Sequence, residues 1–590
     1  MGTDTTRKPA RGAFYLIEDT DAQQVFTPED FTREHQMIVD TTRSFVENEV
    51  LPHQEELEHQ NWDLTVELLH KAGDLGLLAA DVPEAYDGLG ADKVTSALIS
   101  ETLTRGGSFA LSHGAHVGIG SLPIVFFGNE EQKQKYLPKL ASGEWIAAYA
   151  LTEPGSGSDA LGAKTTATLS ADGKYWILNG TKQFITNSAF ADVFVVYAKI
   201  DGEHFSAFIV EKGYEGVSTG VEEKKMGIKA SSTRQLILED AKVPVENLLG
   251  EKGRGHVIAF NILNIGRYKL AVGSVGGMKG ALEHSVKYGN SRKQFGTAIT
   301  NFGLIKQKLA LMNTLTYVTE SAAYRATGDI DAQLESVDTN NGKAVADAIA
   351  EYALECSVLK VFASEALDTI VDEGVQIHGG AGFIAEYGME RMYRDSRINR
   401  IFEGTNEINR MLIPNTLLRK AMKGELPLLQ KAQGLQEELM SLMPPSGEFD
   451  TLERETYMLD MMKKIFLFAG GVAVQTYQMK LKDEQEALAA LADIAINIYV
   501  LESALLRTKK ALANGQDAQN KIDMTVSFAE TAFAQVEQTA KTLLASVAEG
   551  DMLRTQLSML KKLTRVTPVN VVAINRRIAD RVIEAEKYQA

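Results

Sequence analysis

The sequence predicts a mostly α-helical protein with a β domain in its middle and an additional helical domain at its C-terminal end. Three observations carry this. Helical periodicity with start and stop signals runs from Pro28 to about residue 140, and again from about Gly255 to about Lys423. Between them lie short β-rich runs separated by turn residues, the pattern of an antiparallel sheet or small barrel. Beyond Pro444-Pro445-Ser446-Gly447, apolar residues recur at three- and four-residue steps (Leu488, Leu491, Ile494, Ile498, Leu501, Leu505), the stripe of an amphipathic helix.

The totals narrow the function classes. A chain of 590 residues exceeds one hydrophobic core, so several domains are expected. A net charge of -17 without a basic block argues against nucleic acid as the main partner. The one cysteine, Cys356, excludes an intrachain disulfide framework and reads as a small buried hydrophobe. The N-terminus lacks an apolar signal core, and the longest apolar run, residues 465–474, is short of the roughly 20 residues of a membrane span. A cytoplasmic protein is the expectation.

The elements follow in order. Residues 1–27 read as a loosely structured arm. A helix start is expected at Thr27-Pro28-Glu29-Asp30, with Pro allowed and acids favoured in the first turn. The helical domain, 28–150, is broken at Asp81-Val82-Pro83, at residues 87–90 and at Gly128-Asn129. Its stretch 111–124 holds Gly114, Gly118 and Gly120, each costing about 1 kcal/mol of helix propensity; they serve either close helix packing or room for a long ligand chain. The middle domain, 151–250, opens on the loop LTEPGSGSD, whose amides and hydroxyls suit a polar or anionic ligand or simply a turn-rich linker. The second helical domain spans 251–430 and the additional one 431–590. In the last, Lys561-Lys562 and Arg576-Arg577 suit an anionic membrane surface or an ordinary solvated face.

The stretch RDSRINRIFEGTNEINR, residues 394–410, is the candidate for chemistry. Glu403 is flanked by Ile401 and Phe402, and a carboxylate that loses hydration there has its pKa raised toward the range of a general base. Gly404 permits close backbone approach, and Thr405 stands before a helix start that offers donors to an anion. A surface Glu in a helix-entry loop is the alternative. Arg292 and Phe295, three apart, suit a phosphate and a ring, or a surface arginine over a buried phenylalanine. The HGGAG run has neither metal-ligand spacing around His378 nor the GxGxxG fingerprint.

Together, LTEPGSGSD, QFITN, SRKQFG, QIHGGAGF and IFEGTNEINR, in this order across helices, sheet and helices, resemble the acyl-CoA dehydrogenase family over about residues 30–425. The helical region after the Pro-Pro linker resembles the extension of its very-long-chain branch, and bacterial fatty-acid degradation enzymes share this length. The resemblance implies the family fold and an FAD-dependent α,β-dehydrogenation of long-chain fatty acyl-CoA to trans-2-enoyl-CoA, the first step of β-oxidation. Glu403 would remove the α-proton, hydride would pass to the flavin, and electrons would leave to an electron-transferring flavoprotein. Cofactor positions implied are Thr152, Ser158, Phe184, Ile185 and Thr186, then Thr405, Asn406 and Glu407. Arg292, Phe295, Gln376, Ile377, His378, Gly379 and Gly380 would reach FAD across a homodimer interface. Substrate positions implied are Ser158, Asn264, Arg267 and Gly404. Two departures stand out: Phe184 replaces the family's usual Trp, and Gly266 leaves no carboxylate at the position that supplies the base in some branches. An oxygen-using oxidase and a non-catalytic assembly protein of the same fold are the competing readings.

Overall fold

The computed structural model describes residues 9–442 and 449–590; the Pro-Pro linker at 444–447 lies outside them. The first helical layer comprises α1 (Arg33–Phe45), α2 (Gln54–Glu58), α3 (Trp62–Asp74), α4 (Lys93–Leu103), α5 (Phe109–Gly114), α6 (Leu122–Phe127) and α7 (Glu130–Ser142). Side-chain caps start four of them, α3 by Asn61 Oδ1 accepting from the Leu64 amide. Thr32 Oγ1 accepts from the His35 amide, Asp92 Oδ1 from Thr95, and Asn129 Oδ1 from Gln132. The start expected at Thr27 is a single 3₁₀ turn, Pro28–Asp30, closed by Asp30 bonding back to the Thr27 amide; the extended backbone at Phe31 ends it, and α1 begins after Thr32.

The glycines of this stretch differ in how closely they are packed. Between α5 and α6 the chain widens into a π-helical segment, Ala115–Gly120. Gly120 is a close contact, since a Cβ there would meet Ala147 at 2.8 Å. Gly114 has no neighbouring atom within 4 Å of that position, and Gly118 has only Lys269 Cδ, at 3.9 Å.

The middle layer is a sheet of β1 (Ala147–Ala150), β2 (Thr166–Leu169), β3 (Tyr175–Thr186), β4 (Val193–Ile200), β5 (His204–Glu211), β6 (Val217–Thr219), β7 (Thr233–Pro244) and β8 (Leu248–Leu249). Its order is β6-β7-β3-β2-β4-β5-β8, with β1 alongside β4. Most pairs are antiparallel, but β1 and β2 each run parallel to β4. Two of the short β-rich runs, at 175–178 and 183–186, lie on one strand, β3, with irregular register against β7 after Leu178 and after Lys182.

The second helical layer is built on α8 (Gly255–Ser291), α9 (Gly303–Glu335), α10 (Gly342–Glu351) and α11 (Ala353–His378), followed by α12 (Met389–Ser396) and α13 (Asn406–Met422). The additional region adds α14 (Leu428–Ser441), α15 (Glu453–Tyr477), α16 (Gln485–Ala513), α17 (Gln519–Val547), α18 (Gly550–Leu563) and α19 (Val571–Ala585). The predicted stripe on α16 is buried throughout and joins one hydrophobic core with α8, α9 and α11. Among the described residues two helical stretches, Phe109–Phe127 and Gln485–Ala513, are long and apolar enough to cross a membrane, although neither is an unbroken apolar run; most of each is buried inside the protein.

The arm is not loose where it is described. Phe14, Tyr15 and Leu16 are buried, the Ala13 amide donates to Glu355 Oε1 at 2.6 Å, and Tyr15 Oη donates to the Ala495 carbonyl at 3.2 Å. Its apolar Phe-Tyr-Leu-Ile run wedges between α11 and α16. Charge completes the junction. Buried Glu320 on α9 accepts from Lys279 at 2.5 Å, Arg507 at 2.7 Å and Tyr588 at 2.8 Å, while Arg507 also grips Glu29.

Burial alone would raise the Glu320 pKa, but Lys279 and Arg507 outweigh it and hold the carboxyl at about 2. A folded pKa below the ordinary value contributes stability above about pH 4.5 that is lost as pH falls toward 2. Glu320→Gln should therefore lower stability at neutral pH by about 3 kcal/mol, because it leaves buried Arg507 and half-buried Lys279 short of an anion. Thermal denaturation across pH 7 to 3 checks this: the variant should melt lower at pH 7, and the gap should narrow at acid pH.

Candidate active site

Glu403 and Gly404 form a left-handed turn, with φ of 58° and 79°, between a short 3₁₀ segment and α13. For a glutamate this backbone is costly and must be held by its surroundings. Asn409 holds it from α13, donating to the Gly404 and Thr405 carbonyls at 2.9 and 3.1 Å. Arg267 holds it from α8, donating through Nε to the Glu403 carbonyl at 3.1 Å while its other arm donates to Asn264 Oδ1 at 2.8 Å. Thr405 Oγ1 caps α13 by accepting from the Ile408 amide.

The turn delivers the Glu403 side chain onto Gly266. A Cβ at that position would lie 2.6 Å from Glu403 Oε2, so the missing carboxylate at Gly266 and the presence of one at Glu403 are a single steric fact. Oε2 is buried with no hydrogen-bond partner. Loss of hydration pushes the Glu403 pKa up to about 7, against the pull of nearby Arg267 and Lys360. A carboxyl poised there takes or gives a proton near neutrality.

Lys360 was not singled out in the sequence. It is fully buried on α11, and its ammonium donates to Asn406 Oδ1 at 2.6 Å. Asn406 in turn donates to Ser364 Oγ at 3.0 Å and Glu365 Oε1 at 2.9 Å. Burial and the neighbouring Arg267 lower the Lys360 pKa, Glu403 opposes them, and the result is about 8. Its one legible signal is a lysine inside the apolar run VLKVFA.

A second group lies on the sheet. The Gln183 amide donates to the Thr152 carbonyl at 2.8 Å, bringing the LTEPGSGSD loop against β3. Buried Glu153 fastens the loop by accepting from Lys182 Nζ at 2.7 Å and Thr165 Oγ1 at 2.5 Å. Neither Glu153 nor Lys182 was anticipated, though Lys182 faces inward in the alternation of β3. Beside this anchor Phe184 stands out, 58% exposed at a φ of 60°, with Thr152 and Thr186 half-buried and Ser158 exposed. Ile185 points into the sheet core, so only its backbone is available from outside.

The third group caps the ends of α8 and α11. His378 is stacked on His284 and Tyr288, with ring centroids 5.1 and 4.2 Å apart, which sets QIHGG beside the last turns of α8. Ile377 and His378 are buried supports, whereas Gln376, Gly379 and Gly380 face outward and both glycines border open space. Phe295 is 95% exposed, not covered by Arg292 as a buried ring would be, and both residues follow the end of α8. Arg292 comes 26 residues after Gly266 along this helix, about 39 Å at 1.5 Å per residue. That gap places Arg292 at the far end of α8 from Glu403 of the same chain, and the stacking of His378 on Tyr288 sets QIHGG toward the same end.

Near the base, Glu407 is exposed and Asn406 is turned inward. Two arginines of the 394–410 stretch have local partners, Arg394 with Glu390 and Arg400 with Asp368. Cys356 is buried, its thiol pushed up to about 12 by burial, as expected of a packed, unreactive side chain.

Comparisons with known proteins agree with this architecture. The chain matches the acyl-CoA dehydrogenase N-terminal domain over residues 32–144, the middle domain over 148–241 and the C-terminal domain over 253–418, with a further acyl-CoA dehydrogenase C-terminal domain over 461–562. A probable acyl-CoA dehydrogenase of Bacillus subtilis is 60% identical over 98% of both chains. The human mitochondrial very long-chain specific acyl-CoA dehydrogenase is 36% identical over 83% of this chain and 77% of its own length. The crystal structure of an acyl-CoA dehydrogenase complexed with FAD from Bacillus anthracis superposes with a TM-score of 0.96, at 60% identity, over 98% of this chain and all of that one. Sheet, helical layers and the additional helical region are thus those of one enzyme family, and this chain belongs to the acyl-CoA dehydrogenases.

Proposed function

We propose that the chain dehydrogenates long-chain fatty acyl-CoA between its α and β carbons, giving trans-2-enoyl-CoA at the entry to fatty-acid β-oxidation. The observation that carries this is the Glu403 carboxyl: buried against Gly266, unpartnered at Oε2, and titrating near 7. Glu403 takes the α-proton. The backbone amide of the same residue, in the turn held by Arg267 and Asn409, is assigned to the thioester carbonyl, where it stabilises developing enolate charge. Gly404 lets substrate approach that turn, and Asn264 with Arg267 and Ser158 is assigned to the remainder of the thioester.

FAD, bound by the Bacillus anthracis relative, fits the exposed groups of this chain. Thr152, Ser158, Phe184, Thr186 and the Ile185 backbone would hold its flavin half, with Thr405 and Glu407 beside the base. When bound, FAD supplies the acceptor for the β-hydrogen, which leaves as hydride. Arg292 lies about 39 Å along α8 from Gly266, and Phe295, Gln376, Gly379 and Gly380 gather toward the same end of that helix, so we assign them to the flavin of a second copy and take the working unit to be a homodimer. An electron-transferring flavoprotein is proposed as acceptor, since the named relatives are dehydrogenases. Long-chain preference is supported by the space beside Gly114 and Gly118.

Glu403→Gln should keep the yellow flavin spectrum while anaerobic bleaching by acyl-CoA slows by about 10²-fold or more. In the wild type the bleaching rate should rise with pH through about 7, as Glu403 ionises. Near wild-type bleaching by the variant would remove Glu403 from the mechanism. Gly118→Leu should cut kcat/KM on long acyl-CoA by about tenfold relative to short ones; an equal loss at every chain length would refute the proposed space. Light scattering on the flavin-loaded protein should give twice the 64.5 kDa chain mass, and a monomer retaining FAD would exclude the shared site.

A further inference from the structure

Besides Asn409, Arg267 and the Thr405 cap, the base turn is anchored through Asn406, whose side chain meets one buried cation. Asn406 is the first residue of α13, three positions after Glu403, and its side chain spans Lys360, Ser364 and Glu365 on α11. Glu365 is itself clamped by both arms of Arg410 at 2.7 and 2.9 Å, and Arg410 Nε bonds Asp493 of α16 at 2.7 Å. A lysine with no exposed surface is expensive to bury unless its charge has a use. Here its one hydrogen bond is to a neutral amide oxygen, and no carboxylate lies within ion-pair distance of it among the described residues.

We propose that Lys360 is a positioning residue for the proton-transfer step: its buried ammonium, anchored on Asn406, fixes the start of α13 behind the base and electrostatically favours the anionic form of Glu403. The proposal rests on the assignment of Glu403 as base. The charged and titratable groups facing this pocket are Arg267 from α8, Lys360 from α11, Tyr149 from β1 and, beyond Asn406, Glu365 and Glu407. Arg267 and Lys360 both hydrogen-bond neutral oxygens, so both charges act on the carboxyl, Arg267 the more strongly and Lys360 next, and Lys360 is the one that also anchors the start of α13. Lys360 titrates at about 8 and Glu403 at about 7, so between these values both are charged and the arrangement is complete. No proton passes to Lys360 in this scheme. It changes only how much of Glu403 is ionised at a given pH.

Two neutral replacements separate charge from shape. Lys360→Gln keeps an N–H for Asn406, and Lys360→Met keeps only the length. In both, the midpoint of the pH profile for anaerobic flavin bleaching should move up by about one unit or more, because an opposite charge near the carboxyl has been lost. Lys360→Arg should lie nearer the wild type. Profiles that fall by one factor at all pH values, with an unmoved midpoint, would reduce Lys360 to a structural part and overturn the proposal. Should the neutral variants fail to hold FAD, the wild type still decides. The carboxyl band assigned by infrared difference against Glu403→Gln should titrate near 7. Ionisation only above about 8, where Lys360 has lost its proton, would overturn the proposal. This readout does not depend on turnover, so it separates failure of the Lys360 inference from failure of Glu403 as base, which active Glu403→Gln would reveal.

Discussion

A carboxyl group pressed onto a helix backbone is the constraint around which the molecule is arranged. Glu403 reaches its niche only because position 266 carries no side chain, and it stays there only because a left-handed turn is fixed on both sides. Each support is borrowed from a different element: Arg267 from α8, Asn409 from α13, and Asn406 on Lys360 from α11. The same removal of water that makes the carboxyl basic makes its anion costly, so cations must stand near without bonding it. An ion pair made directly to Oε2 would lower its pKa and occupy the lone pair that a proton needs. The absence of a partner on Oε2 and the nearness of two cations are therefore complementary.

The additional helical region participates in this arrangement through contacts rather than through catalytic side chains. Asp493 on α16 holds Arg410, Arg410 holds Glu365, and Glu365 shares Asn406 with Lys360. Glu502 and Arg507 on the same helix meet Arg325 and Glu320 of α9, and the N-terminal arm is wedged beneath them. A continuous apolar core beneath these links packs α16 against the helices that support the base turn.

What could be read in the sequence was local. Alternation and turns marked the sheet, and the α16 stripe marked its burial, because each depends on residues adjacent in the chain; Glu403 is dehydrated instead against distant Gly266 of α8, and its neighbour Ile401 is exposed. Domain order and family likewise followed from motifs read in series. What escaped notice depends on partners far apart: Lys182 with Glu153 is 29 residues away, Lys360 with Asn406 is 46, and the arm with Glu355 is 342. An isolated lysine in an apolar run gives no sign of which carbonyl awaits it. Motif membership also says nothing of orientation. Ile185, Ile377, His378 and Asn406 belong to cofactor-like motifs yet turn inward, where they carry their exposed neighbours Phe184, Gln376, Gly379 and Glu407.

Gly266 ties these strands together. Within a helix, a glycine is a defect of about 1 kcal/mol, and α8 accepts it beside a glutamate whose backbone is itself unfavourable. Neither feature makes sense alone. A side chain at 266 would expel Glu403 from the niche, and a right-handed backbone at 403 would send its carboxyl elsewhere, leaving a void against α8. Two local costs thus combine into one dry contact, and the packed surroundings of α8, α11 and α13 absorb them. The position of the base is consequently a property of the helix pair that receives it as much as of the loop that bears it.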